Sequence, residues 1–468
     1  MEHHDDVDDV LATLASFVAG LRYEDLPREV VRAAQRMLLD ALGCAFGAWD
    51  ADAPAIARQV AQRAPARYGA TLFGTGERVV PELACFANGA LVRYLDYNDT
   101  YVSAGGVAHP SDYIPAVLAA AELSDASGPG FLTGIVASYE VLCRMIDATM
   151  IGVDAWDHVT VGALAGAAGA SKALGLDRSQ VGHALSLGMV PNFALHTTRL
   201  GELSMWKGCA AANAARNGLF AALLAQAGMT GPPAPFIGRG GANAALARQV
   251  KVPRLATSTA PFAVLECHIK GYPAGFFSQS AIDAALELRR RHPGAKIEAV
   301  EVGVFPFGKK VMAGDPEKWH PATRESADHS IPYVVAVALL RGSVRPEHFR
   351  PEALRHPDVV ELLGRISVQE DPECTERWPE EALAKVRARY ADGAEDSEAV
   401  PHHHGHARNP MSDEDVEAKF RAQAARFMSE RELDNLAQCV WQLDRAASVR
   451  PLLDATTVVR TATSYASS

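Results

Sequence analysis

The sequence predicts a mainly α protein: a long helical part, a smaller α+β module after it, and C-terminal helices that return to pack on the helical part. Three observations predict it. Residues 1 to about 250 keep apolar side chains at helical spacing. A Pro/Gly-rich connection, "MTGPPAPFIGRGG" at 229–241, interrupts that pattern, and strict alternation appears beyond it. Helical spacing then returns near the C-terminus.

The elements follow in order. Pro27 opens "PREVVRAAQRMLLDALGCAFGA", where Val30, Val31, Ala34, Met37, Leu38, Ala41 and Leu42 recur on one face, and proline suits a first helical turn. "PAVLAAAELS", "FLTGIVASYEVLCRMI", "TVGALAGAAGASKALG" and "CAAANAARNGLFAALLAQAG" are further helices, with Gly175 and Gly228 where C-terminal caps belong. Their Ala and Gly content permits close packing. "KIEAVEVGVF" alternates, putting Val300, Val302 and Val304 on one strand face. "SAIDAALELRRR", with a capping-box pattern from Ser280 to Asp283, and "PYVVAVALLRG" are helices of the same segment. "RISVQED" and "AKVRARYADG" are shorter strands. "MSDEDVEAKFRAQAARFM" and "SERELDNLAQCVWQLD" return to helix and are expected to pack back on the first part. The tail "TATSYASS" has no core-forming pattern and is expected to fray. The expected boundaries are 1–265, 266–408 and 409–468.

Across 468 residues, 48% hydrophobic and 22% charged, there is ample material for a core. A net charge of −11 disfavours nucleic acid or an anionic membrane as partner. An anionic substrate would therefore need a local cationic pocket. The seven scattered cysteines include no C-x-x-C pair, which argues against a disulfide framework, a zinc site or an iron–sulfur cluster and suits a reducing cytoplasm. "MEHHDDVDDV" lacks the basic and apolar regions of a secretory signal, and no long uncharged apolar stretch suggests a membrane span.

"GTGERV" (74–79) and "GRGG" (238–241) are expected to be ordinary turns, since neither completes a nucleotide-binding motif. "HHHGH" (402–406) lacks helical ligand spacing and partner carboxylates and is expected to be a solvated loop. A different pattern begins at "LDYNDT". Asp96, Asn98, Asp99 and Thr100 crowd together, and His109 follows just before a helix start where Ser111 is the expected N-cap. His158, Lys207 and Tyr333 also stand at or near helix starts, and Lys270 lies in a Gly/Pro loop. If these ends converge, they form a pocket for polycarboxylates that holds its own acid–base groups.

The blocks "YLDYNDTYVSAGGVAHPSDYIPA", "DHVTVGALAGAAGASKALGLD", "GELSMWKGCAAANAARNG", "KGYPAGFFSQSAIDAALEL", "PATRESADHSIPYVVAVALL" and "NPMSDEDVEAKF" resemble those of the MmgE/PrpD family, in family order and over nearly the whole chain. The resemblance implies a large all-helical domain built from both chain ends with a smaller α+β lid, a homodimer, and catalysis without metal or cofactor. Its active-site positions fall on Asp96, Thr100, His109, His158, Lys207, Lys270 and Tyr333. "LDYNDT" followed by "HPSD", and "FFSQSAIDAA" with Gln279, are similar to the 2-methylcitrate dehydratase branch; decarboxylase-like members more typically carry His at the position of Gln279. The gap "YVSAGG" lacks the bulky groups of some dehydratases. The implied function is metal-free general acid–base dehydration of a small tricarboxylic acid such as 2-methylcitrate. His109 is expected to move the proton with His158 as partner; Asp96, Lys207, Lys270 and Tyr333 complete the catalytic set, and Thr100, Ser111 and Gln279 bind substrate. The alternatives are cis-aconitate decarboxylation, epimerisation of a dicarboxylate, and a silent carboxylate-binding relative.

Overall fold

The computed structural model describes residues 8–151, 156–257 and 260–458. The expected frayed tail, 461–468, and the first seven residues lie outside them. Long helices dominate the first half: Arg28–Gly47, Pro81–Tyr94, Gly128–Thr149, Val159–Ala173 and Ala210–Gln226. Val159–Ala173 and Ala210–Gln226 lie together at the centre because small residues let their backbones meet. A Cβ at Gly218 would sit 2.5 Å from the Ala163 carbonyl oxygen.

The C-terminal helix Asp413–Ala424 packs against Arg28–Gly47, with Gly43 directly under the Phe420 backbone. Arg32 and Arg36 both donate to Asp413, and Lys419 reaches the buried Asp40 at 2.5 Å. One continuous apolar core therefore runs from Val10 to Ile269 and resumes from Met411 to Ala455. A second core spans Ala274 to Tyr390.

The second core is built on a four-stranded sheet in the order Ile366–Glu370, Ile297–Val304, Ala384–Tyr390, Glu395–Val400. The first pair is parallel and the others are antiparallel. Val300, Val302 and Val304 face the core, as their alternation requires. Helices Gln279–Arg291 and Ile331–Arg341 supply the rest of this core.

Several local expectations need correction. The first 250 residues are not purely helical: Pro65–Thr71 pairs with Arg78–Val79, and Tyr101–Ser103 with Gly106–Ala108 around a two-residue turn. These ladders are too short to show a period. Glu395–Val400 also escaped notice because its polar residues form an edge strand. The Ser280–Asp283 capping box does not form; Ser280 is inside its helix, and Asp283 accepts from Tyr272 Oη and the His404 N–H. "HHHGH" is not a solvated loop. His403 and His406 are buried, and His268, His406 and His402 stack in sequence. The loop crosses between the two cores, where Gly405 accepts from Ile269 N–H, and burial keeps the His403 and His406 rings neutral by lowering their pKa values. "GRGG" is a turn; in "GTGERV" Gly74–Glu77 turn the chain and Arg78–Val79 is the short strand paired above.

Candidate active site

The helix Pro81–Tyr94 ends in a turn that places Asp96 in the left-handed region at φ 50°, with its N–H on the Arg93 carbonyl. Its buried carboxylate gathers cations from distant parts of the chain. Arg93 Nη1 lies 3.0 Å from Oδ1, Lys207 Nζ 2.9 Å from Oδ2, and Lys270 donates to Oδ1 and, at 3.0 Å, to the Asp96 carbonyl. His329 Nε2 is 3.3 Å from Oδ2. Lys207 also donates to Asp328 at 2.8 Å; His329 Nδ1, 3.0 Å from the ammonium, donates to Asp328 Oδ1 at 2.6 Å and so does not accept from it. Among the described residues Lys270 has only Asp96 as partner, which leaves one proton for the cavity. Burial opposes ionisation of Asp96, yet Arg93, Lys207 and Lys270 outweigh it and hold the carboxyl well below its usual range. Burial lowers the Lys270 pKa against the pull of Asp96.

The two predicted histidines sit together, ring centres 5.8 Å apart. His109 Nδ1 lies 2.7 Å from the Asp99 carbonyl and 3.3 Å from Thr100 Oγ1. A carbonyl only accepts, so Nδ1 is assigned the proton and Nε2 keeps a lone pair. His158 stands immediately before helix Val159–Ala173, with Nδ1 2.9 Å from Asp157 Oδ1. Arg199 fixes the other oxygen of Asp157 at 2.9 Å and also donates to the Lys207 carbonyl. His158 Nε2 is buried and has no partner among the described residues. The helix start is clamped by Tyr113, whose hydroxyl occupies the space a Cβ at Gly162 would need.

Burial first, then Arg93 and Lys270, pushes His109 well below the ordinary His range; burial lowers His158 although Asp157 opposes it. Both rings are thus expected to titrate below about 6.5. Chemical shifts of the ring protons followed against pH check this, and a midpoint above that value in either ring would contradict it.

These groups line one cavity of about 380 Å³. Arg93, Arg199, Lys207, Lys270, Lys310 and Lys318 line it against Asp96, Asp157 and Asp315, so a protein of net charge −11 concentrates positive charge here. Leu200, Leu203, Phe277, Phe307, Val311 and Met312 form an apolar wall that strengthens electrostatics inside. Asp96, Asp328 and His329 offer atoms close enough to hold a cation. Lys207 already bridges both carboxylates, so the arrangement favours an anionic ligand.

Asp96, His109, His158, Lys207 and Lys270 therefore share the predicted cavity. The remaining four candidates do not line it. Tyr333 belongs to the second core, and its hydroxyl donates to the His348 carbonyl. Thr100 is buried beside His109 and exchanges backbone hydrogen bonds of 2.8 Å with His268. Ser111 is not an N-cap: its N–H donates to Asp99 Oδ1, and its hydroxyl accepts from Asn98. Gln279 holds the Lys270 loop by accepting from Gly271 and Tyr272 N–H and donating to the Tyr272 and Ala274 carbonyls. Tyr333→Phe is accordingly expected to keep turnover within about threefold while costing roughly 1 kcal/mol of stability. Steady-state kinetics and urea unfolding check both; a hundredfold loss of turnover would return Tyr333 to the chemistry.

Sequence reasoning missed Arg93, Asp157, Arg199, Asp328 and His329. One signal was available: "WDHV" and "ADHS" each contain Asp-His, and in both the carboxylate holds Nδ1 of the next residue.

A family model described as the MmgE/PrpD N-terminal domain matches residues 12–254, and one described as the MmgE/PrpD C-terminal domain matches 272–445. The chain is 26% identical to human cis-aconitate decarboxylase over 93% of its own length and 92% of the relative's. It is 27% identical to 2-methylcitrate dehydratase of Salmonella typhimurium, over 94% and 95%. The cis-aconitate decarboxylase-like protein oryM of Aspergillus oryzae is 26% identical, over 95% and 96%.

Proposed function

The chain belongs to the MmgE/PrpD family, and on that premise we propose that it is a hydro-lyase acting on a small tricarboxylic acid of the 2-methylcitrate type. The observation that carries this reading is His158, whose buried Nε2 has no partner among the described residues, on the wall of a cavity where six cations stand against three carboxylates. Dehydration requires removal of a C–H proton next to a carboxylate and loss of hydroxide from the neighbouring carbon. In this reading His158, oriented by Asp157, takes the carbon proton. Sequence reasoning had placed His109 first; the Asp157 hydrogen bond favours His158, and His109 accepts from the substrate hydroxyl. Enolate-like charge develops on the substrate carboxylate, which Arg93 and Lys207 meet from the cavity wall. Lys270, made more acidic by burial, protonates the departing hydroxide through its uncommitted N–H.

Further parts of the reading concern assembly. The segment 266–408 acts as a lid, because Lys270 and His329 arrive from it while Asp96, His109 and His158 arrive from the helical part. Leu195, Leu200, Met205 and Trp206 are exposed on the segment that also supplies Arg199 and Lys207 to the cavity, and they suit a homodimer contact. No helix among the described residues is long and apolar enough to cross a membrane; a cytoplasmic location is part of the proposal.

Gln279 lies behind the cavity wall, so that position bears on the choice between dehydration and decarboxylation only through the Lys270 loop. Turnover of 2-methylcitrate, citrate and cis-aconitate, followed by absorbance of the conjugated product and by release of carbon dioxide, tests the proposal. Appearance of an absorbing, dehydrated product from 2-methylcitrate or citrate supports it. Carbon dioxide from cis-aconitate without dehydration would replace it with decarboxylation. No turnover, with citrate still raising the unfolding temperature, would leave a carboxylate-binding relative.

A further inference from the structure

Most cations at the cavity are committed to carboxylates or carbonyls of the protein. Lys318 is different. It lies in the short helix Pro316–Trp319, is 3% exposed and lines the cavity. Its ammonium makes no hydrogen bond or ion pair among the described residues. Asp328, Asp315 and Glu317 influence it only from beyond ion-pair distance, while Lys207 is near enough to repel it. Its backbone is nevertheless fixed: the N–H donates to the Asp315 carbonyl at 3.0 Å, and Ser330 Oγ donates to the Lys318 carbonyl. Ser330 directly follows Asp328 and His329, so the lysine is tied to the segment that carries those groups.

A buried charge without a counter-ion is unfavourable, and removal of such a charge is ordinarily stabilising. Retaining one at a cavity wall is consistent with a ligand that brings the missing charge. We propose that Lys318 binds the third carboxylate of the substrate and sets a preference for tricarboxylic over dicarboxylic acids. The inference rests on the polycarboxylate reading above and adds to it a specificity residue. Arg93, Lys207 and Lys270 cluster at Asp96; in the reading above the first two meet the carboxylate at which charge develops and Lys270 meets the departing hydroxide. Lys318 has no such prior attachment and forms a separate contact. The apolar Phe277, Phe307 and Met312 line the same cavity and reduce competition from water for that contact.

Calorimetric titration of the full chain with tricarballylate and with glutarate, at fixed ionic strength, tests this. Glutarate lacks the central carboxylate, so comparing the two acids in the wild type, Lys318→Met and Lys318→Arg isolates one lysine–carboxylate pair. The wild type is expected to bind tricarballylate more tightly. Lys318→Met should weaken tricarballylate binding about tenfold or more while changing glutarate binding by less than about threefold, and Lys318→Arg should recover part of the loss. The unliganded Lys318→Met protein should unfold at the same or a higher temperature than the wild type, whereas a purely structural lysine would leave it less stable. Equal weakening of both acids, unchanged binding of both, or a lower unfolding temperature would each overturn the inference. If Lys318→Met does not fold, Lys318→Gln carries the same comparison. A wild type that binds neither acid would instead overturn the polycarboxylate reading, and this inference with it.

Discussion

His158→Ala is expected to lower turnover by roughly two to four orders of magnitude, the range for loss of a positioned general base. The expectation comes from the bonding of both ring nitrogens. Nδ1 is held by Asp157, itself fixed by Arg199, so the ring is oriented; Nε2 has no partner among the described residues, and the ring lines the cavity. Burial keeps the ring neutral and therefore able to accept a proton. Asp157→Asn should have a smaller effect in the same direction, because it disturbs tautomer and orientation but leaves the imidazole in place. Turnover of 2-methylcitrate, with circular dichroism confirming the fold, checks both. Turnover of His158→Ala within threefold of wild type would remove His158 from the chemistry.

Asp96→Asn is expected to have the largest effect on stability, roughly 3–5 kcal/mol, because it removes the charge that compensates buried Arg93, Lys207 and Lys270. Asparagine tolerates the left-handed backbone at this position, so the substitution tests charge rather than conformation. Lys207 would keep Asp328, and Arg93 would keep Asp112, but Lys270 would lose its only carboxylate. Urea unfolding with an unchanged slope would report the loss as a lower midpoint. The exposed Arg22–Asp25 pair is the control: removing it should leave the urea midpoint close to that of the wild type. A midpoint for Asp96→Asn that moves no further than the control's would show that the three cations find other compensation.

The helical part was legible because long amphipathic or Ala-rich repeats carry their period in the residues themselves. Val300, Val302 and Val304 were legible for the same reason. Hairpins of two or three paired residues were not, since their pairing depends on the chain around them. At the site, His109, His158, Lys207 and Lys270, near helix starts or in a Gly/Pro loop, converge on one cavity with Asp96, and the approach to an anion-binding pocket could be read from that grammar. Tyr333 could not be excluded by sequence, because one turn of helix separates a hydroxyl that faces a cavity from one that bonds to His348. Gln279 stood out through the family resemblance and Ser111 through its place at a helix start, yet their side-chain hydrogen bonds are to backbone and to Asn98. The buried "HHHGH" loop shows the reverse error: polarity suggested water, while neutral imidazoles stack as well as other aromatic rings do.

The phenol of Tyr113 filling the vacant side of Gly162 has an implication for mutational screens. Gly162 lies four residues after His158, on a helix whose start sets where that imidazole points. Any larger residue there must displace either the phenol or the helix, and the second outcome would misaim a group one turn away. A collection of inactive but soluble variants should therefore be rich in changes at Gly162, although that glycine has no side chain to offer a reactant.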